Sequence, residues 1–383
     1  MYLSKFLKLF LLLSLLALVL PLSIASAEVA GTAVITDSSA GLSDQVVVSL
    51  TDVPRLGATE AYEGWLVSDD GAHSLSIGVM AVDTDGSINL AYTDAQGTNL
   101  TSIYDKFVIT VEPVPDTDPG LSSHVAFSDQ IPAGGMIHIR HLLYSSAGNP
   151  EYASGAHAGT PKGISPGLWE QTDVARVHAG LAAGSSTLAD IKAHAANVIN
   201  IIEGAHGDNF VSSEADPGDG FGVLNYAADA KNHAQLITAD VPSDATFAKY
   251  EPHVSDSSDN VADWAGMARD QAVIASNATN VAVAQAFMTN AQTLLTRALN
   301  GHDADRDGTI ESIIGEGGAS QVQVGVQNMG TYNPTEVVIV EAPPTPPATG
   351  DISWGVFALI ALTAGAVLLG GGGLLFARGR ASA

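Results

Sequence analysis

The chain is predicted to be an α+β multidomain protein: an N-terminal antiparallel β-sandwich, then an all-α helical bundle, with a C-terminal transmembrane helix. Three observations predict this. In the first third of the 383 residues, apolar and polar side chains alternate with a period of two. In the middle the apolar period lengthens to about 3.6 residues, the spacing of one helical face. Towards the end, residues 352–377 carry no charge. The resulting division is a signal peptide (1–27), the sandwich (28–115), a linker (116–123) and a histidine-containing helical bundle ending in a calcium-type loop (124–318). A Pro-rich spacer with a sorting-like motif (319–350), the transmembrane helix (351–377) and a basic cytoplasmic tail (378–383) complete it.

The elements follow in order. Lys5 and Lys8 precede an apolar run over residues 9–22, and Ala25-Ser26-Ala27 has the small-x-small geometry of a signal-peptidase site. Cleavage after Ala27 makes Glu28 the new terminus. Strands are predicted at 32–36, 45–50, 62–67, 75–82, 87–92 and 106–112, separated by turn clusters such as Ser68-Asp69-Asp70-Gly71 and Asp83-Thr84-Asp85-Gly86. That strand spacing is typical of a small sandwich. The breaker-rich run from Pro113 to Gly120 sets the domain boundary.

Beyond it, helices are predicted at 136–146, 169–183, 187–204, 223–239 and 261–299, the last broken near Asn277 and Asn280. In 187–204, Leu188, Ile191, Ala195, Val198, Ile199 and Ile202 share one face, with Ser185 and Ser186 at the N-cap and Gly204 at the C-cap. Antiparallel helices with short loops make a bundle. After residue 319 the chain reads as polar and strand-like, and the prolines from Pro343 to Pro347 form a stiff spacer. Residues 352–377 are long enough to cross a hydrocarbon core of roughly 30 Å. Arg378 and Arg380 supply the positive-inside stop.

Composition narrows the function. There are 15 Lys and Arg against 41 Asp and Glu; setting aside Lys5, Lys8, Arg378, Arg380 and Asp351 leaves 11 against 40 for the exported part. Such a surface repels nucleic acid and favours cations. With no cysteine, an exported chain is stabilised by packing, oligomerisation or metal in place of disulfides. No thiol nucleophile, phosphate loop or dinucleotide fingerprint is present, so the sequence favours a non-enzymatic surface module for binding, adhesion or envelope sensing, stabilised by calcium.

Three stretches resemble known families. Tyr62-Glu63-Gly64-Trp65-Leu66-Val67, Gly78-Val79, Asp85-Gly86 and the run from Phe107 to Pro113 together resemble the extracytoplasmic C-terminal domain of anti-sigma-K factors. That resemblance implies a β-sandwich on the outer face of a membrane, used for binding or sensing; anti-sigma-type signalling through a separate membrane partner is a further alternative. The run Pro346-Pro347-Ala348-Thr349-Gly350-Asp351 before the apolar span is similar to a cell-wall sorting signal, with Pro346 where the pattern has Leu. A sortase would cut between Thr349 and Gly350 and link the chain to the wall; otherwise the helix holds it in the membrane. Either way the ectodomain is extracellular, and its ligand is not specified.

The third resemblance is to EF-hand and dockerin-like calcium loops, over Asp303-Ala304-Asp305-Arg306-Asp307-Gly308-Thr309. Asp303, Asp305 and Asp307 supply oxygens, Gly308 the turn and Thr309 a carbonyl; Ile314 stands where the bidentate Glu belongs, with Glu311 and Glu316 as nearby substitutes. A second acidic loop, with Asp208, Asp216 and Asp219, is a further calcium candidate without that spacing.

The histidines suggest a different chemistry. His138 and His141 share a helix face, and His178, His194 and His233 each lie on the apolar stripe of a predicted helix. A bundle lined this way can hold a transition metal or haem for electron transfer, storage or redox chemistry, with Glu170 or Asp173 as carboxylate partners. A core histidine bonded to its neighbours is the plain alternative.

Overall fold

Two antiparallel sheets share one core in the computed structural model, which describes residues 28–39, 42–144 and 163–337. β1 (Ala30–Thr36), β2 (Gln45–Thr51) and β5 (Ile88–Thr93) form the first sheet, with β2 central. The second has the order β4-β3-β6-β7-β8, from β3 (Glu60–Val67), β4 (Ser74–Met80), β6 (Lys106–Pro113), β7 (Val125–Gln130) and β8 (Thr335–Glu336). On β2 the alternation is strict: Val46, Val48 and Leu50 are buried while Val47 and Ser49 face outward. β6 breaks the pattern, because residues 107–112 are buried on both faces. On the less apolar face, Thr110 Oγ1 accepts the Trp65 indole N–H at 2.9 Å and donates to Glu112, so the buried polar groups are partnered.

The sheet runs through the expected boundary. The segment after β6 folds back on it, where Ser122 Oγ donates to the Val111 carbonyl at 2.8 Å, and the chain then enters β7 alongside β6. Residues 125–130 are therefore strand and not the start of a bundle. The closing strand comes from the far end of the chain: Phe127 pairs with Glu336, Ser128 with Thr335, and Ala33 and Tyr332 exchange two backbone hydrogen bonds at 3.0 and 2.8 Å. Sandwich and helices belong to one unit that ends at Val337.

Seven helices lie among the described residues: α1 (Ala133–Leu143), α2 (Ile164–Gly184), α3 (Leu188–Glu203), α4 (Val223–Asp240), α5 (Ala245–Asn277), α6 (Val281–Asn300) and α7 (Ala319–Met329). α5 packs on α3, α4, α6 and α7; α2 packs on α3 and α6; α1 packs on α4. Buried alanines, among them Ala175, Ala179, Ala265, Ala268, Ala272 and Ala291, let these helices approach closely. α3 shows how the local signals work. Thr187, one residue beyond the predicted cap, accepts the Asp190 N–H at 3.1 Å, and Gly204 ends the helix with φ 74°. A Cβ at Gly204 would lie 2.1 Å from the Phe221 carbonyl oxygen, so no other residue fits there without movement of the chain.

Two helical stretches differ from expectation. α5 begins at Ala245, well before residue 261, capped by Asp244, and it carries Pro252 inside. α7 occupies residues expected to be an extended spacer. The predicted leader with Ala27, the sorting motif with Thr349 and Gly350, and the predicted span all lie outside the described residues. Among the described residues no helix is long and apolar enough to cross a membrane.

Candidate metal centre

Where α1 crosses α4, three imidazoles and a carboxylate meet. His138 and His141 are one helical turn apart on α1, and His233 and Asp240 are two turns apart on α4. His138 Nδ1 lies 3.1 Å from His233 Nδ1, and His138 Nε2 lies 3.2 Å from Asp240 Oδ2. Ring centroids are 5.1 Å apart for His141 and His233, 5.3 Å for His138 and His233 and 6.0 Å for His138 and His141. Each of the three histidines offers a nitrogen, and these atoms all lie within 4.8 Å of one another.

Protonation favours ligation. Burial, followed by repulsion from His141 and His138, pulls His233 down to about 4, so it is a neutral imidazole at physiological pH. A tetrahedral ion bonded at 2.0–2.1 Å needs nitrogens roughly 3.3 Å apart, close to the spacing of the His138–His233 pair. With Nε2–H given to Asp240, His138 keeps Nδ1 as its acceptor, turned towards His233 Nδ1. A cavity of about 470 Å³ lined by Asp105, Arg140, His141 and Tyr144 reaches the cluster from outside. The Asp105 carboxyl, buried in its wall, is pushed up by burial against the opposing pull of Arg140.

The remaining predicted residues are placed elsewhere. His178 on α2 and His194 on α3 pair with each other, Nδ1 to Nδ1 at 3.1 Å, and Asn197 Nδ2 lies 3.4 Å from His178. They are not part of the three-histidine cluster. Burial, then His194, lowers the His178 value. Asp173 is bound by Arg176 at 2.6 Å and meets no histidine among the described residues, while Glu170 lines a cavity between the first sheet and the helices. Asp240 was not singled out in the sequence, although its spacing of seven from His233 marks the same face. The run Gly163-Ile164-Ser165-Pro166-Gly167 has the spacing of a nucleophile elbow, and Ser165 lies fully buried in the first turn of α2.

In the aspartate loop, Asp303 and Asp305 converge with Glu316 within 4.8 Å. All three aspartates cap the loop as well: Asp303 accepts the N–H groups of Arg306 and Gly308 at 2.6 and 3.1 Å, Asp305 that of Asp307 at 3.1 Å and Asp307 that of Thr309 at 2.8 Å, with the Thr309 hydroxyl between Asp307 and Glu311. Ile314, at the place of the bidentate ligand, is exposed. Glu316 is 3% exposed and accepts the N–H groups of Ala304 and Glu311 at 3.2 and 3.1 Å. Hydrogen bonding with Glu316 pushes the Glu311 carboxyl up, and hydrogen bonding with Glu311 draws the Glu316 carboxyl down. In the second acidic loop the carboxylates are turned to local work. Asp216 accepts the Gly218 N–H at 3.0 Å, Asp219 accepts the Tyr226 hydroxyl at 2.6 Å, and Asp208 joins no donor group among the described residues.

Comparison with known proteins bears on the sandwich. Residues 17–122 match the family model described as anti-sigma-K factor rskA, C-terminal. The match covers less than a third of the chain and takes in β1 to β6, stopping before β7. The N-terminal β region is thus similar to an anti-sigma factor domain, while the histidine cluster lies wholly outside the matched part. No curated protein matches the chain, and no solved structure matches it.

Proposed function

We propose that this chain is an exported, envelope-anchored and non-enzymatic binding module that captures a divalent transition-metal ion at His138, His141 and His233. The convergence of three histidine nitrogens from two helices, with Asp240 behind His138, carries this reading. Imidazole donors suit zinc, copper or nickel and disfavour calcium. A single ion fits better than haem, because axial nitrogens across an iron stand about 4 Å apart with a macrocycle between them. The His138–His233 pair is closer, at 3.1 Å. The similarity of residues 17–122 to the anti-sigma-K domain supports an extracytoplasmic place and an envelope-sensing role, metal occupancy being the sensed state. Anchoring by the apolar span, or by sortase at Thr349, belongs to the same proposal.

The test is a zinc titration of the purified full-length protein by calorimetry, beside His141→Ala. One high-affinity site that disappears in the variant is expected. Equal uptake by both proteins would refute metal capture at this site. A second, weaker reading concerns calcium: Asp303, Asp305 and Glu316 gather hard oxygen donors, and bound calcium would stiffen the turn between α6 and α7.

A further inference from the structure

A cavity of about 630 Å³ lies at the seam between the first sheet and the helices, and neither the metal centre nor the aspartate loop uses it. The chain leaving β1 forms one wall with Asp37 and Leu42, and the start of α2 forms another with Trp169 and Glu170. The floor is α7, which presents Gln323, Val324 and Gln327. The seam is pinned at one point, where Gln323 Nε2 donates to Asp37 Oδ2 at 3.1 Å and Asp37 Oδ1 accepts the Ser43 N–H at 2.7 Å.

Two features set this cavity apart. Leu42, Trp169 and Val324 all line it, and each is a large apolar residue left 43% exposed or more. Apolar area of that kind, gathered around a concave space of several hundred Å³, is how small-molecule sites are built. Beneath it are two buried amide atoms with no hydrogen-bond partner, Gln323 Oε1 and Gln327 Nε2. Gln327 is only 6% exposed, so water does not satisfy it from outside. The two glutamines are one turn apart on the same face of α7, and together they offer one unused acceptor and one unused donor. The terminal torsion of glutamine is broad and soft, so either amide can turn towards a guest.

We infer that this cavity binds a small uncharged molecule carrying a carboxamide on a flat apolar body. The apolar body would lie against Trp169 between Leu42 and Val324, and the carboxamide would accept from Gln327 and donate to Gln323. A carboxamide satisfies this pair whichever way each glutamine amide is turned, since both ends of every amide carry a donor and an acceptor. Charge excludes the acid analogue. Asp37 and Glu170 border the cavity, and no Lys or Arg lines it among the described residues. A guest there would touch the sandwich and the helices at once and would brace the seam. The site goes beyond the metal proposal and does not depend on it.

Benzamide and benzoate, which share a ring and differ in amide against carboxylate, are the probes. Binding to purified full-length protein is followed by saturation-transfer NMR in buffer containing a chelator, so that the result is independent of metal. Saturable benzamide binding is expected, with benzoate at least about tenfold weaker, and Trp169→Ala and Gln327→Leu each reducing benzamide affinity by about tenfold. Trp169 is partly exposed and its replacement leaves the core intact; circular dichroism melts confirm that both variants fold. Absence of saturable benzamide binding, equal binding of benzoate, or undiminished binding in either folded variant would overturn the assignment.

Discussion

The two histidine groups look alike in the sequence and differ in what they can hold. His178 and His194 approach as closely as His138 and His233, 3.1 Å between Nδ1 atoms in each pair. Only the second pair gains a third imidazole, His141, and a carboxylate, Asp240. The neighbour of the first pair is the amide of Asn197. A histidine on the buried stripe of a helix is therefore a weak sign of metal binding. The number of donors that a helix crossing brings within one coordination sphere is the stronger one.

The largest expected effect comes from breaking that contrast. His233→Ala should weaken zinc binding by about 100-fold or more, because it removes a direct ligand, whereas His178→Ala should change it by less than about threefold. Calorimetry on the two variants decides it; a comparable loss in both would make the two groups one site. Asp240→Asn sharpens the same contrast at smaller scale. Its carboxylate touches His138 and no ligating nitrogen, and it is half exposed, so a loss of roughly tenfold is expected, with the stoichiometry of one site kept.

Much of the fold was legible. Six strands and the separation of α5 from α6 at Asn277 follow the predicted positions closely, because period two and turn clusters are local signals. α7 was not legible, for a specific reason. Val322, Val324 and Val326 alternate with polar residues and read as a strand, yet Val322, Val326 and Met329 are buried at helical spacing and Val324 is exposed. The helix is secured at its start by Gln321, whose Oε1 accepts the Gly318 N–H at 2.9 Å. The first half of α5 was hidden by Pro252 and by a serine-rich stretch. Ser255, Ser257 and Ser258 are buried there, small enough for α5 to lie against α7 and the glycines before it. For the site, helical phase placed each histidine on its stripe, but the pairing of His138 with His233 spans 95 residues and is decided by how α1 crosses α4.

Protonation offers a third way to separate the groups. In the metal-free protein His233 titrates at about 4 when folded, against an ordinary value near 6.5 when unfolded. The native state thus favours the neutral ring. The stability this confers is present above the unfolded value and is lost as pH falls from about 6.5 through 4, because the unfolded chain takes up the proton first. Since the ring is only partly buried, the loss is discounted to roughly 1 kcal/mol. Urea denaturation at pH 7.5 and pH 4.5 should show this acid limb flattened in His233→Gln. An identical limb in the variant would mean that other groups carry the acid sensitivity.

The smallest effect tests the oxygen site against the nitrogen one. If Asp303, Asp305 and Glu316 hold calcium, the ion needs all three as carboxylates, so binding strengthens as pH rises through the carboxylate range. With only three gathered carboxylates and an exposed isoleucine at the bidentate position, affinity belongs in the millimolar class of extracellular modules. A few millimolar calcium then stabilises the native state by about 1 kcal/mol, a shift of about 1–2 °C in melting midpoint over chelator for a chain of this size. Glu316→Gln should remove the shift even if it lowers the midpoint itself, because Glu316 also holds the N–H groups of Ala304 and Glu311. Asp307→Asn should leave most of it, since Asp307 lies outside the group that converges with Glu316. The reverse order would restore the one-three-five ligand set read from the sequence. A midpoint that is the same in calcium and chelator would leave the loop as a self-capped turn, and the histidines as the only metal chemistry proposed for the chain.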